Sequence, residues 1–202
     1  MKAWTGSAWT AEKPVKYWNG SAWVVKPIKY WNGSAWVQKP ATTTYVTWDA
    51  ATVTSVTLSG GNLVATNTLV GSSANQGARV VTSAGKTSGK YYFEVAITTS
   101  TAGANRGVGI GTTASTYTTM GGSSGTTGVH WLVSGAIRAN GAATGITVAL
   151  VGGTFVVAVD LDNRQCWMRS TANANWNNSG TANPATNVGG IAIPAGTMVP
   201  FI

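Results

Sequence analysis

From residue 41 onward the chain alternates apolar and polar residues in short runs, separated by clusters of Gly, Ser, Asn and Thr. Alternation with period two places successive side chains on opposite faces of a strand. On this basis the runs 44–48, 53–58, 62–65, 79–82, 91–98, 107–110, 128–132, 146–150, 155–160 and 165–169 are read as strands. No stretch of helical period and useful length appears. Many short strands punctuated by turn residues predict an antiparallel β-sandwich or barrel.

Before residue 41 the pattern is different, because it repeats. Residues 15–27 read VKYWNGSAWVVKP and residues 28–40 read IKYWNGSAWVQKP, while residues 2–14, KAWTGSAWTAEKP, form a degenerate first copy. The tryptophans fall in pairs five apart: Trp4 and Trp9, Trp18 and Trp23, Trp31 and Trp36. In copies two and three, aromatic and β-branched residues flank Asn19-Gly20-Ser21 and Asn32-Gly33-Ser34, and Asn-Gly supplies the positive φ that a tight hairpin needs. Each copy is therefore expected to be a β-hairpin. Two loop registers fit; a four-residue loop would make Trp18 and Trp23 a cross-strand pair. The Lys-Pro that closes every copy, at 13–14, 26–27 and 39–40, removes a ladder donor and stops the strand.

A lone two-stranded hairpin is marginal in water, and six tryptophans within the first 36 residues are a large apolar surface to leave wet. The expectation is that Trp4, Trp9, Tyr17, Trp18, Trp23, Tyr30, Trp31 and Trp36 form an assembly arm, covered by neighbouring copies, other subunits or a larger particle. Stacking of the tryptophans on sugars is the alternative. The unit resembles the short Trp-Asn-Gly-Ser-Ala-Trp repeats of phage tail-fibre and minor tail proteins, in which such units often precede a β-sandwich.

Beyond the arm, Gly89-Lys90-Tyr91-Tyr92-Phe93-Glu94-Val95 resembles the SPRY family of bent β-sandwiches used for recognition. Further matches follow in order. Gly107-Val108-Gly109-Ile110-Gly111 is similar to that family's next glycine-rich strand, and Gly135-Ala136-Ile137 with Asn140-Gly141 to its following hairpin. Val157-Ala158-Val159-Asp160-Leu161-Asp162 is similar to its central strand. Trp176-Asn177, Asn183-Pro184 and Gly189-Gly190-Ile191 are similar to the closing loop of phage versions. The fold expected is all-β: Trp-rich hairpin repeats over 1–40, then a SPRY-like antiparallel β-sandwich over 41–202. One departure is that the chain stops at Pro200-Phe201-Ile202, where the family continues into a further strand. A missing last strand would leave an open edge for another subunit to complete.

Composition changes this picture in two ways. Charged residues make up only 9% of the 202 residues, against roughly a quarter in ordinary domains, so solubility rests on Thr, Ser, Asn and Gly. The formal charge is +8, and residues 1–40 hold Lys2, Lys13, Lys16, Lys26, Lys29 and Lys39 against Glu12 alone. These lysines are evenly spaced, with neither a cluster nor an arginine among them, and edge lysines that discourage stray strand pairing are the favoured explanation. No nucleic-acid motif accompanies them. Cys166 is the only cysteine, which rules out an intrachain disulfide. No apolar leader follows Met1, and no apolar run is long enough for a membrane helix, so synthesis in a host cytoplasm without membrane insertion is expected.

Catalytic chemistry is scarce. The only acids are Glu12, Asp49, Glu94, Asp160 and Asp162. Asp160 and Asp162 could share a strand face as a carboxylate pair or a Ca²⁺ site, but capping the Asp162-Asn163-Arg164 turn explains them more simply. His130 is the single histidine and is read as structural, as is Cys166. Gly107-Val108-Gly109-Ile110-Gly111 lacks the following helix that a phosphate loop requires. No catalytic, metal or cofactor residue is expected. Recognition by loops remains, with Tyr117, Asn173, Trp176, Asn177 and Asn178 as candidates; for Trp176, packing under its own loop is favoured over ligand contact.

Together these resemblances imply a non-enzymatic virion protein, a tail-fibre or spike component. Its expected partners are other virion proteins and copies of itself, with a host-surface glycan or protein as a further candidate. A purely structural capsid or tail decoration protein is the alternative, and a glycan-degrading enzyme is disfavoured by the few acids.

Overall fold

Asn19 turns the first described hairpin through its own side chain. Its Oδ1 accepts the Ser21 and Ala22 amides at 2.9 and 2.8 Å, and Gly20 follows at φ 101°, a conformation open to glycine. The four-residue register is the one adopted: β1 (Lys16–Trp18) pairs β2 (Trp23–Val25) with Trp18 opposite Trp23. In the next copy β3 (Lys29–Trp31) pairs β4 (Trp36–Gln38) in the same way, with Trp31 opposite Trp36. The computed structural model describes residues 16–26, 29–31, 33–38, 45–68, 77–98, 107–115, 127–132, 134–149 and 153–202. The first repeat, with Trp4 and Trp9, lies outside them, as does Tyr117. The chain divides into two units, Met1–Tyr45 and Val46–Ile202.

The second unit is all-β. β8 (Gly107–Thr112), β9 (Gly128–Leu132), β10 (Ala136–Ala139), β11 (Ala142–Thr147) and β15 (Met198–Phe201) form a five-stranded antiparallel sheet in the order β11-β10-β9-β8-β15. β7 (Lys90–Ala96), β12 (Thr154–Asp160), β13 (Gln165–Ser170) and β14 (Ile191–Ala192) form a four-stranded sheet in the order β14-β13-β12-β7. β5 (Val56–Ser59) and β6 (Val64–Asn67) make a separate hairpin. Asn140-Gly141 links β10 to β11 as a two-residue turn with both φ positive, the hairpin geometry that matches strand twist.

Alternation along the strands builds the core between the two sheets. Val108 and Ile110, Val129 and Trp131, Phe155, Val157 and Val159, and Cys166 and Met168 all point inward. Trp131 meets Phe155 edge to face with ring centroids 4.2 Å apart, and its indole N–H donates to the Val148 carbonyl. A second, smaller core of Trp48, Ala78, Val80 and Val199 involves the other face of β15, with Leu58 and Ala65 of the β5–β6 hairpin packed against it.

Several expected strands take other forms. Of the run 44–48, the described residues 45–48 contribute only a bridge between Trp48 and Val80. The run 79–82 gives bridges at Arg79 and Val80 and then a 3-10 turn at Thr82–Ala84. The strand expected over 146–150 begins earlier and is β11, because the turn at Asn140-Gly141 starts it. β14 and β15 were outside the expected set. β15 is paired on both edges: with β8 on one side, and on the other with Ala78 and Val80, which exchange three backbone hydrogen bonds with Pro200 and Ile202. Both edges of β15 are thus occupied by this chain. Pro200, which has no N–H, leaves unmade only the return bond to Val80.

Candidate binding surface

The outward positions of β7, β12 and β13 are set by register. Val156 sits between Glu94 and Arg169, and Ala158 between Tyr92 and Trp167. Val156 and Ala158 are buried, whereas Tyr92 is 55% exposed. The Tyr92 hydroxyl donates to the Glu94 carboxylate. Desolvation of the phenol raises its pKa above the ordinary value, the bond to Glu94 adds to this, and Arg169 opposes it. On the far side of the row the Arg169 guanidinium lies 4.6 Å from the centroid of the Trp176 ring, a cation–π contact. Its Nε–H is buried with no partner among the described residues. Tyr92, Glu94, Arg169 and Trp176 thus form one band across the outer face of the four-stranded sheet.

Trp176 is positioned by its neighbour. Asn177 is buried at φ 51° and uses both ends of its amide: Oδ1 accepts the Met168 N–H at 2.9 Å and Nδ2 donates to the Gly189 carbonyl at 2.8 Å. β14 pairs only Gln165 and Cys166, so Asn177 caps the edge of β13 beyond it. Trp167 is fully buried, and its indole N–H donates to the Val188 carbonyl at 2.8 Å.

Of the loop residues expected to meet a ligand, Asn177 is committed to the fold. Asn173 accepts the Asn175 amide in a local turn, and Asn178 is exposed at φ 54°. Trp176 is partly buried, with the Arg169 guanidinium over its ring. Sequence reasoning did not single out Tyr92, Glu94 or Arg169. Their signal was present as polar or aromatic alternates to the core residues of β7 and β13, but nothing local joins positions 75 residues apart. In the arm, ring centroids of Trp18 and Trp23 are 5.8 Å apart and those of Trp31 and Trp36 5.9 Å apart, and all four rings are more than half exposed. Tyr17 is exposed on the opposite hairpin face, shared with Val24; the Tyr30 side chain lies outside the described residues.

The other chemistry-bearing residues are absorbed by packing. The carboxylate of Asp160 accepts the amides of Asp162 and Asn163 and the Asn163 side-chain amide, each at 3.0 Å, and pairs with Lys90 at 3.3 Å. These bonds, that from the Asn163 side chain foremost, hold its pKa below the usual carboxylate value despite burial. Asp162 accepts the Gly89 amide. His130 is buried with its ring against Phe201. A Cβ on Gly107 would lie 1.8 Å from the Trp131 carbonyl oxygen, so the glycine-rich strand serves close approach of backbones. Among the described residues no group of three or more His, Cys, Asp or Glu converges on a metal position.

No protein-family model matches the sequence, and no curated protein matches it either. Among solved structures, the TRIM65 PSpry domain superimposes with a TM-score of 0.50 at 13% identity, covering 77% of this chain and 84% of that one. The fold is a SPRY-like β-sandwich. Stonustoxin aligns with a TM-score of 0.47 at 18% identity, over 78% of this chain and 25% of the toxin. Within the SPRY-like sandwich, the Tyr92–Trp176 band lies on a sheet face next to the closing loop, and its neighbour row is Lys90, Asp160 and Gln165.

Proposed function

We propose that the chain is a non-enzymatic structural protein of a tailed-phage virion, a tail-fibre or spike component. In this reading the Trp hairpins fix it to sibling subunits or to the particle, and the sandwich recognises a host surface. The observation that carries it is the pair of hairpins of matching register, each presenting two indole rings more than half exposed in water. Apolar surface of that kind favours burial against a partner. The likeness of the Trp-Asn-Gly-Ser-Ala-Trp unit to tail-fibre and minor tail proteins supports the virion assignment. The partners are other virion proteins and copies of the chain, and the site of action is the tail or capsid surface.

Catalysis has little support in the residues. Asp160 is spent on its turn and on Lys90, and Glu94 faces Tyr92 rather than a second carboxylate. Acid–base hydrolysis of a glycoside uses two carboxyl groups across the bond. The test is mass spectrometry of purified particles of the phage encoding the chain, with incubation of the pure protein on host polysaccharide. The chain is expected among the virion proteins, with no polysaccharide cleavage. Its absence from particles, or turnover of the polymer, would overturn the assignment.

A further inference from the structure

We propose that the band formed by Tyr92, Glu94, Arg169 and Trp176 is a binding site for neutral pyranose units of a polysaccharide. This rests on reading the sandwich as the recognition module, and it names the ligand class and the face.

The chain is strongly basic, with a formal charge of +8, yet this face is balanced. Glu94 and Arg169 flank Val156 in one row, and Lys90 pairs with Asp160 in the other. A surface for nucleic acid or an anionic polymer would carry an excess of cations. In the Val156 row a carboxylate at one end and a guanidinium at the other offer an acceptor and a donor across the face, which suits sugar hydroxyls that both donate and accept.

Val156 is 1% and Ala158 8% exposed, so the floor is closed and offers no pocket for an apolar anchor of a protein partner, the feature that dominates protein interfaces. A sugar needs none, because the C–H face of a pyranose lies flat on an aromatic ring. Tyr92 supplies an exposed ring at the β7 edge, and Trp176 a partly buried one beside β13. The strands carrying Glu94 and Arg169 are two sheet spacings apart, about 10 Å, room for a short stretch of sugar units.

Asn177 fixes the loop beneath Trp176, Arg169 is held against that ring, and the Tyr92 hydroxyl is already oriented by Glu94. Groups held in place before binding cost less ordering entropy when the ligand arrives. The buried Nε–H of Arg169 shows that its guanidinium is incompletely satisfied by the described residues.

The test uses the whole chain on an array of neutral gluco-, galacto- and N-acetylglucosamine oligosaccharides, with heparin and polyphosphate as anionic controls. The strongest neutral binder is then titrated by calorimetry. Tyr92→Ala and Trp176→Ala are each expected to weaken it about tenfold, and Glu94→Gln and Tyr92→Phe less, while Lys26→Ala in the arm leaves it unchanged. If Trp176→Ala does not fold, the Tyr92 and Glu94 variants carry the test. Binding of no neutral sugar, binding only of the anionic controls, or neutral-sugar binding indifferent to Tyr92 and Glu94 would overturn the proposal. None of these outcomes bears on the presence of the chain in virions, which the particle analysis decides separately.

Discussion

The side-chain oxygen of Asn177 accepts the backbone N–H of Met168 at 2.9 Å, nine residues earlier, and so continues the β13 edge past the two residues that β14 pairs. The same amide donates to Gly189, closing the loop that carries Trp176. Replacing it strands the buried Met168 N–H, which costs about 1–3 kcal/mol, and frees the carbonyl of Gly189, an exposed residue that water can reach. Ala in a left-handed conformation adds about 1 kcal/mol more. Asn177→Ala is therefore expected to lower stability by about 3 kcal/mol in urea unfolding and to release Trp176, seen as a shift of its fluorescence. Unchanged stability would mean that the edge of β13 has another cap.

A second prediction concerns the glycine-rich strand. A Cβ on Gly109 would lie 2.4 Å from the Phe201 ring and 2.4 Å from the Val129 carbonyl oxygen. The ring can swing away, but the carbonyl belongs to the β8–β9 ladder and cannot. Gly109→Ala should cost about 1–3 kcal/mol or more in thermal or denaturant unfolding. A variant as stable as the parent would show that β8 and β15 are spaced more loosely than described.

Asp160 ties stability to pH. Its folded pKa lies below the unfolded value of 3.8, chiefly through the Asn163 side chain and against the opposing effect of burial. A depressed carboxylate stabilises the fold fully above the unfolded pKa, and that contribution disappears as pH falls through the folded pKa. The parent is thus expected to lose stability between about pH 5 and pH 2, with Asp160→Asn less stable at pH 7 and flatter across that window. Parallel curves for parent and variant would assign the acid loss to other groups.

The Cys166 thiol is fully buried, and desolvation alone pushes its pKa far above the ordinary value. Since the thiolate is the reactive form, a thiol reagent should fail to label the native protein at pH 8 and should label one thiol once the chain is unfolded. Rapid native labelling would mean that β13 opens locally.

Much of this architecture was legible because the relevant signals are local. Asn19-Gly20 and Asn140-Gly141 set their own turns, and the alternation in 155–160 and 165–169 identified two central strands almost to their ends. β15 was harder to read because Pro200 argues against a strand paired on both sides, and the penalty proved to be one missing bond to Val80. The segment around Trp48 has strand-like sequence but finds only a single bridge, at Val80. For the candidate surface, Trp176 stood out by composition, and the structural use of Asn177 did not. Tyr92, Glu94 and Arg169 become neighbours only through the register of β12 between β7 and β13, and register across long connections is set by tertiary packing.

The hairpin arm bears the central claim, and its most direct test is the mass in solution of the whole chain against a variant carrying Trp18→Ser, Trp23→Ser, Trp31→Ser and Trp36→Ser, by light scattering. Those rings lie on exposed hairpin faces in the described structure, so the sandwich should fold in both. The parent is expected to be an oligomer and the variant a monomer of about 20.7 kDa. An oligomer that survives loss of all four rings would contradict the arm as an assembly device.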